Sequence, residues 1–210
     1  QEANDHISEY IRDRIRDTVK DPQTAQDLLP KDYPYGTKRP CIDTNYYETF
    51  NQDNVSLVNL RRTPLETITE SGIKTTVGEH EFDAIVYATG FDAMTGPLLR
   101  VDIRGRDGVK LTDAWCDGPR SYLGIAIHGF PNLFTITGPS SPSVLSNMLV
   151  SIEQHVDWVS DCIQWLREGN KKTIEPAESA EQEWAARTEQ LANMTLYPKA
   201  NSWYMGANVP

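Results

Sequence analysis

The sequence is poor in cysteine and in positive charge, and its 210 residues contain no long apolar run. Its three cysteines form neither a CxxC pair nor a Cys/His pattern of metal-ligand spacing, so we predict no metal site. No apolar segment reaches the roughly 18 residues of a membrane span. The formal net charge is −10, which argues against nucleic acid or an acidic membrane as a partner, because phosphates attract clustered cations. Reduced cysteines and the lack of a signal segment favour a cytoplasmic location.

Several nucleotide and hydrolase motifs are missing as well. The sequence has no GxGxxG, no HExxH and no Ser/His/Asp elbow, so this chain lacks the pyrophosphate cradle of a dinucleotide enzyme. It has no initiator Met and stops at Pro210 without a terminating element. We therefore expect it to be a piece of a larger protein.

Helical periodicity is present in several segments. Apolar residues spaced by three and four positions, with their capping residues, predict helices over 4–20, 22–29, 146–169 and 176–194. In the third of these, Ser146 is the expected N-cap and Gly169 the expected C-terminal stop. His155 lies in the inward-facing row of that helix, and we expect a packed, hydrogen-bonded core residue rather than a catalytic one.

Extended apolar runs predict strands between the helices. These runs are 55–60, 65–69, 73–77, 81–90, 101–105, 122–127 and 132–137. The AIVYA core (84–88) of the run at 81–90 lacks polar alternation, so the strand is expected to be buried on both faces. The mixture of strands and helices places the chain in the α/β class.

Three loops are candidates for a ligand site, since α/β proteins bind ligands beyond the carboxyl ends of their strands. In 34–40 (PYGTKRP), prolines prevent a regular helix and a stiff loop presents Lys38 beside Arg39; the alternative is a surface salt-bridge pair. In 88–92 (ATGFD), the glycine lets a ligand approach the backbone, or the segment is an ordinary turn. The loop 138–143 (GPSSPS) leads into a helix start suited to an anionic or carbonyl-rich ligand, or into an ordinary capped helix.

Four segments are informative when they are taken together: KRPCIDTNYYETFNQDNV, EFDAIVYATGFDAMTG, YLGIAIHGFPNLFTITGPSSPSVLSNMLVSIEQH and SWYMGANVP. They resemble the C-terminal half of type I Baeyer–Villiger monooxygenases, the flavoenzymes that insert oxygen beside a ketone. The similarity extends over nearly the whole chain and looks closest to the phenylacetone, cyclohexanone and steroid type. ATG alone is shared with other flavin- and NADPH-dependent monooxygenases.

The resemblance implies a two-dinucleotide-binding-domain flavoprotein, with one FAD and one NADP domain, of which this chain is an incomplete C-terminal portion. Residues 1–33 would be a helical insert of the NADP domain, 34–87 its returning part, and 88–210 the returning part of the FAD domain. The implied cofactors are FAD and NADPH. The implied partners are the N-terminal half of the enzyme, a ketone and O₂, which react through a flavin peroxide and a tetrahedral adduct to give an ester or lactone.

The resemblance also implies roles for the two cations. Arg39 would be the catalytic arginine, because a guanidinium stays cationic and stabilises a developing oxyanion. Lys38 would contact the 2′-phosphate of NADP. Thr89 and Gly90 match the family's ATG at the crossover between the two domains.

Further site residues follow from the same resemblance. Ser143, Val144 and Leu145 match the bulge that shapes the substrate pocket. Asn147 and Met148 match residues beside the flavin and the ketone, although Met148 could equally pack in the core. The last match is Trp203, an aromatic residue on a loop that folds over the cofactor; the alternative is an exposed Trp in a loose tail.

Two other functions stay open at this point. A flavin monooxygenase that acts on amines or sulfides would share ATG and the architecture but not the KRP and bulge signatures. A non-catalytic α/β fragment with a binding role is the second possibility. Two GxGxxG motifs in the upstream coding region would favour an enzyme over this fragment.

Overall fold

The computed structural model describes residues 1–92, 94–141 and 146–206. Its chain divides into two compact units, one from Gln1 to Phe91 and the other from Asp92 onward. Each unit has its own cluster of buried apolar side chains. The predicted mixture of helices and strands is present, but most of the regular structure is helical.

The first unit begins with two helices that pack on each other. Helix α1 is Glu2–Thr18 and α2 is Pro22–Leu28. The carboxylate of Asp21 accepts a hydrogen bond from the Thr24 amide at 2.7 Å, as expected of an N-cap followed by proline. A one-turn helix, α3 (Tyr46–Thr49), follows. The core of these helices contains Ile15, Val19, Ala25 and Leu29.

The strands of the first unit form a small antiparallel sheet in the order β1-β2-β3. They are β1 (Leu65–Ile68), β2 (Gly72–Thr75) and β3 (Gly78–Glu81). The hairpin between β1 and β2 was expected from the sequence and is confirmed. Gly72 is required where β2 meets β3, because a Cβ atom there would lie 1.9 Å from the carbonyl oxygen of His80.

The second unit consists of short helices followed by two long ones. Its helices are α4 (Gly96–Leu99), α5 (Leu111–Ala114), α6 (Met148–Glu168) and α7 (Glu178–Asn193). Single-turn 3₁₀ helices occur at Arg106–Gly108, Tyr197–Lys199 and Trp203–Met205. Leu111, Trp115, Ile127 and Phe130 form its buried cluster.

Five of the predicted strands are wrong. Within the described residues, 55–60 and 82–90 have no strand pairing, and 101–105, 122–127 and 132–137 form only isolated bridges. A strand is stable only when a neighbour satisfies its backbone groups, and the described part of the chain supplies no such neighbour. Burial of 81–90 was also expected, yet Val86 is 88% exposed.

Two details of α6 refine its predicted ends and packing. The N-cap is Asn147 rather than Ser146, because the Asn147 amide oxygen accepts from the Leu149 amide at 3.0 Å. Gly169 follows the last helical residue, as expected. His155 is buried and its Nδ1 accepts a hydrogen bond from the Thr137 amide at 3.0 Å, which confirms its predicted core position.

Candidate functional site

A cleft of about 940 Å³ lies in the first unit between α1, α2, the loop at 30–41 and the segment 57–61. Both Lys38 and Arg39 line it. Lys38 is half-buried, whereas the Arg39 side chain is exposed. The structure therefore brings the two predicted cations to one cleft.

The loop that presents these cations is held on α1 and by its own turn. The Asn4 side chain makes two hydrogen bonds to the Tyr35 backbone, donating to its carbonyl at 2.8 Å and accepting from its amide at 3.1 Å. The Thr37 hydroxyl is buried in the turn and donates to the Pro34 carbonyl at 2.5 Å. Gly36 has φ = 81°, a backbone conformation that glycine adopts without steric cost. These contacts fix the backbone immediately before Lys38.

Several charges converge beside Lys38. Arg61 donates a hydrogen bond to the Asp32 carboxylate. This hydrogen bond, the charge of Arg61, and then the charges of Lys38 and Lys31 hold the pKa of Asp32 below its usual value. The Lys38 ammonium lies 4.5 Å from the centroid of the Tyr33 ring, which is within the range of a cation–π interaction.

The balance of charge in the cleft is positive, although the chain is acidic. The charged residues that line it are the cations Lys31, Lys38, Arg39 and Arg61 and the carboxylates Asp27, Asp32 and Asp43. Asp27 also accepts from Arg62, so its charge is already compensated by a cation outside the lining. The four cations that line the cleft are hydrogen-bond donors suited to a phosphate or another small anion.

Sequence reasoning did not identify Asp32, Tyr33 or Arg61 as part of this site. Asp32 and Tyr33 directly precede PYGTKRP, and the sequence signal for them was only this proximity. Arg61 lies 29 residues after Asp32, and no local pattern connects the two. Thr89 and Gly90 are not among the residues that line the cleft; Gly90 has φ = 87°, so glycine suits its backbone.

The remaining predicted site residues belong to the second unit. Asn147 uses its side chain as the N-cap of α6, and Met148, the first helical residue, is half-buried. Trp203 is half-buried, and its ring centroid lies 4.1 Å from that of Tyr204. The Trp203 side chain is therefore not fully exposed, while its role stays a prediction. Ser143, Val144 and Leu145, which were predicted to shape the substrate pocket, lie outside the described residues.

The described residues contain neither a cluster of metal ligands nor a membrane-spanning helix. No group of three or more potential His, Cys, Asp or Glu metal ligands occurs among residues 1–92, 94–141 and 146–206. In the same part of the chain, no helix is both long and apolar enough to cross a membrane.

Comparison with known proteins extends over the whole chain. No family model matches the sequence. Cyclohexanone 1,2-monooxygenase from an Acinetobacter species is 43% identical over 210 residues, which cover 100% of this chain and 38% of that enzyme. The crystal structure of OTEMO in complex with FAD and NADP superposes with a TM-score of 0.93 at 43% identity, covering 97% of this chain and 38% of that one.

The chain belongs with the Baeyer–Villiger monooxygenases, whose C-terminal portion it matches. It spans about 38% of the length of these relatives. The predicted two-dinucleotide-binding-domain architecture, of which this chain forms one part, is confirmed by the superposition on a protein that holds FAD and NADP.

One relative is named for the oxidation of a nitrogen compound instead of a ketone. A relative from Lysobacter antibioticus, 43% identical over 208 residues, is named a phenazine N-monooxygenase. Identity at this level therefore establishes the family of this chain more firmly than its substrate.

Proposed function

We propose that this chain is the C-terminal portion of an FAD- and NADPH-dependent monooxygenase that converts ketones to esters or lactones with O₂. The observation that carries the proposal is the fixed Lys38–Arg39 loop at a positively charged cleft, in a chain related to cyclohexanone monooxygenase throughout its length. A cytoplasmic location, expected from the reduced cysteines, is part of the same proposal.

The residues present fit one cofactor better than the other. Lys38, Lys31 and Arg61 are suited to the 2′-phosphate of NADPH, because all three are cationic and surround the same part of the cleft. The sequence contains no GxGxxG, so the phosphates of FAD would be held by residues outside this chain. When FAD is bound and reduced, it would activate O₂.

Arg39 is the residue that we assign to the chemistry. Its guanidinium remains cationic at any working pH and donates in a planar fork. It would therefore stabilise negative charge on oxygen atoms close to it, including the oxyanion that develops when the ketone carbon is attacked. Asn147, Met148 and Trp203 would contact the cofactor, and Ser143–Leu145 would shape the ketone pocket.

The domain assignment belongs to the same proposal. Residues 1–33 form the helical insert of the NADP domain, 34–87 form its returning part, and 88–210 belong to the FAD domain. The contact boundary between Phe91 and Asp92 supports a change of domain close to Thr89 and Gly90.

The experiment is an Arg39→Ala substitution in the full-length enzyme, assayed separately for flavin reduction by NADPH and for ester formation from a cyclic ketone. We expect ester formation to fall by roughly 100-fold or more, the usual effect of removing an oxyanion-stabilising donor, while flavin reduction persists. Arg14→Ala is the matched control, since Arg14 is an exposed residue of α1 whose ion pair with Asp17 is 3.9 Å long.

Two outcomes would refute parts of this proposal. Unchanged ketone oxidation by Arg39→Ala would remove Arg39 from the chemistry. A full-length enzyme that oxidises a tertiary amine or a thioether but no ketone would favour the amine or sulfide monooxygenase instead.

A further inference from the structure

The loop of residues 137–141, which we call the hinge loop, is held at four successive positions. The four hydrogen bonds are Thr137 N to His155 Nδ1 (3.0 Å), Gly138 N to the Gly124 carbonyl (3.0 Å), Ser121 Oγ to the Pro139 carbonyl (2.5 Å), and Trp184 Nε1 to the Ser140 carbonyl (3.1 Å). Their partners come from α6, α7 and the turn at residues 121–124, so each of four adjacent residues is bonded to a segment outside the loop.

The backbone of the hinge loop is strained. Thr137 has φ = 50° and Ser140 has φ = 63°, and residues other than glycine rarely adopt this left-handed region. Such conformations persist only where the surroundings enforce them, and they concentrate at functional sites. The four hydrogen bonds are the enforcing contacts.

The tether from Ser121 is buried and closely packed. Ser121 is fully buried, and its hydroxyl accepts from the Gly124 amide at 3.1 Å while donating to Pro139. Gly124 is equally constrained, because a Cβ atom there would lie 2.7 Å from the Cα atom of Ser141. The backbone of the hinge loop therefore has little room to shift on this side.

The tether from Trp184 reaches the hinge loop from a distant helix. Trp184 is half-buried on α7, and its indole N–H bridges 44 residues of sequence to the Ser140 carbonyl. On the other side, His155 fixes Thr137 to α6, the helix that begins with Met148. The hinge loop is thus held between α7 and α6.

We propose that Trp184 is a positioning residue for substrate selection. It acts by fixing the position of the hinge loop relative to the start of α6, where Asn147 and Met148 are assigned to the cofactor and the ketone. Ser121 serves the same purpose through its hydrogen bond to the Pro139 carbonyl. This inference rests on the proposed function.

The experiment uses the full-length enzyme with racemic 2-phenylcyclohexanone as the probe. Trp184→Phe removes the indole N–H and keeps an aromatic ring. We expect the enantiomeric ratio of the lactone to decrease by about two- to tenfold, which corresponds to the net contribution of one hydrogen bond. The KM for the ketone should rise, while the KM for NADPH and the rate of flavin reduction stay unchanged.

Two further variants make the result specific. Trp165→Phe is the matched control: Trp165 is a 54% exposed residue of α6, and its variant should keep the wild-type ratio. Ser121→Ala deletes the second tether and should lower the ratio in the same direction as Trp184→Phe.

Three results would overturn the inference. The first is an unchanged enantiomeric ratio in both Trp184→Phe and Ser121→Ala. The second is an equal loss of ratio in Trp165→Phe. The third is failure of both tether variants to yield flavin-loaded enzyme, since a positioning residue leaves the fold intact. If the wild-type enzyme does not oxidise the ketone at all, the proposed function fails instead, and the two failures are thereby distinguished.

Discussion

Replacing Lys38 by alanine is expected to weaken the use of NADPH much more than the use of NADH. The Lys38 ammonium is half-buried at the cleft and held against the Tyr33 ring. NADPH differs from NADH in its 2′-phosphate, so an interaction with that phosphate is lost only for NADPH. The substitution therefore compares the two cofactors within one variant.

The magnitude follows from the neighbouring charges. A hydrogen bond to a charged group contributes about 1.5–3 kcal/mol, which corresponds to roughly 10- to 150-fold in an equilibrium constant. Arg61 is already paired with Asp32, so it compensates only in part for the lost cation. Lys31, the third cation near Asp32, also remains. We therefore expect the KM for NADPH to rise about 10- to 30-fold, at the lower end of that range.

The assay is the steady-state rate of ketone-dependent cofactor oxidation, measured with each cofactor in the full-length enzyme. Lys74→Ala is the control, since Lys74 belongs to β2 and pairs with Glu66 at 2.9 Å instead of lining the cleft. A rise in KM that is equal for NADPH and NADH would refute the phosphate role. An unchanged KM for both would remove Lys38 from cofactor binding altogether.

Two further predictions concern stability, measured by urea unfolding. Leu111→Ala truncates a side chain that is only 1% exposed in the second unit, so it should lower the free energy of unfolding by about 2–5 kcal/mol. Leu149→Ala, at a 70% exposed position, should change this free energy by less than about 0.5 kcal/mol. Equal losses in the two variants would contradict the packing of the second unit. Arg106 holds the pKa of Glu175 below its usual 4.5, so this carboxylate stabilises the fold at neutral pH and the contribution is lost as the pH falls below about 4.5. Glu175→Gln should therefore narrow the difference in unfolding free energy between neutral and acid pH. An unaltered pH dependence in this variant would refute the ion-pair explanation.

Helices were predictable from the sequence because their hydrogen bonds are local. The predicted helix at 4–20 corresponds to α1, and the predicted 176–194 corresponds to α7. The error at the N-cap of α6 was a single residue: both Ser146 and Asn147 carry capping side chains, and only the backbone conformation decides between them.

Strands were much less predictable. The hairpin at 65–77 was found because its turn and both strands are adjacent in sequence. The run at 81–90 has the composition of a buried strand, yet composition does not supply a partner, and Val86 remains 88% exposed. A strand depends on neighbours that can lie anywhere in a protein, including in the portion of the relatives that this chain does not cover.

For the candidate site, the sequence by itself determined that a stiff proline-flanked loop presents Lys38 and Arg39 in an acidic chain, and the resemblance assigned them roles. Only the tertiary structure decided which groups surround that loop. Asn4 reaches it, and Arg61 reaches the neighbouring Asp32, from segments far away in sequence, as Trp184 reaches the hinge loop. The reason is physical: proline restricts the backbone through its own covalent ring, whereas an ion pair or a long-range hydrogen bond exists only once folding has brought its two partners together.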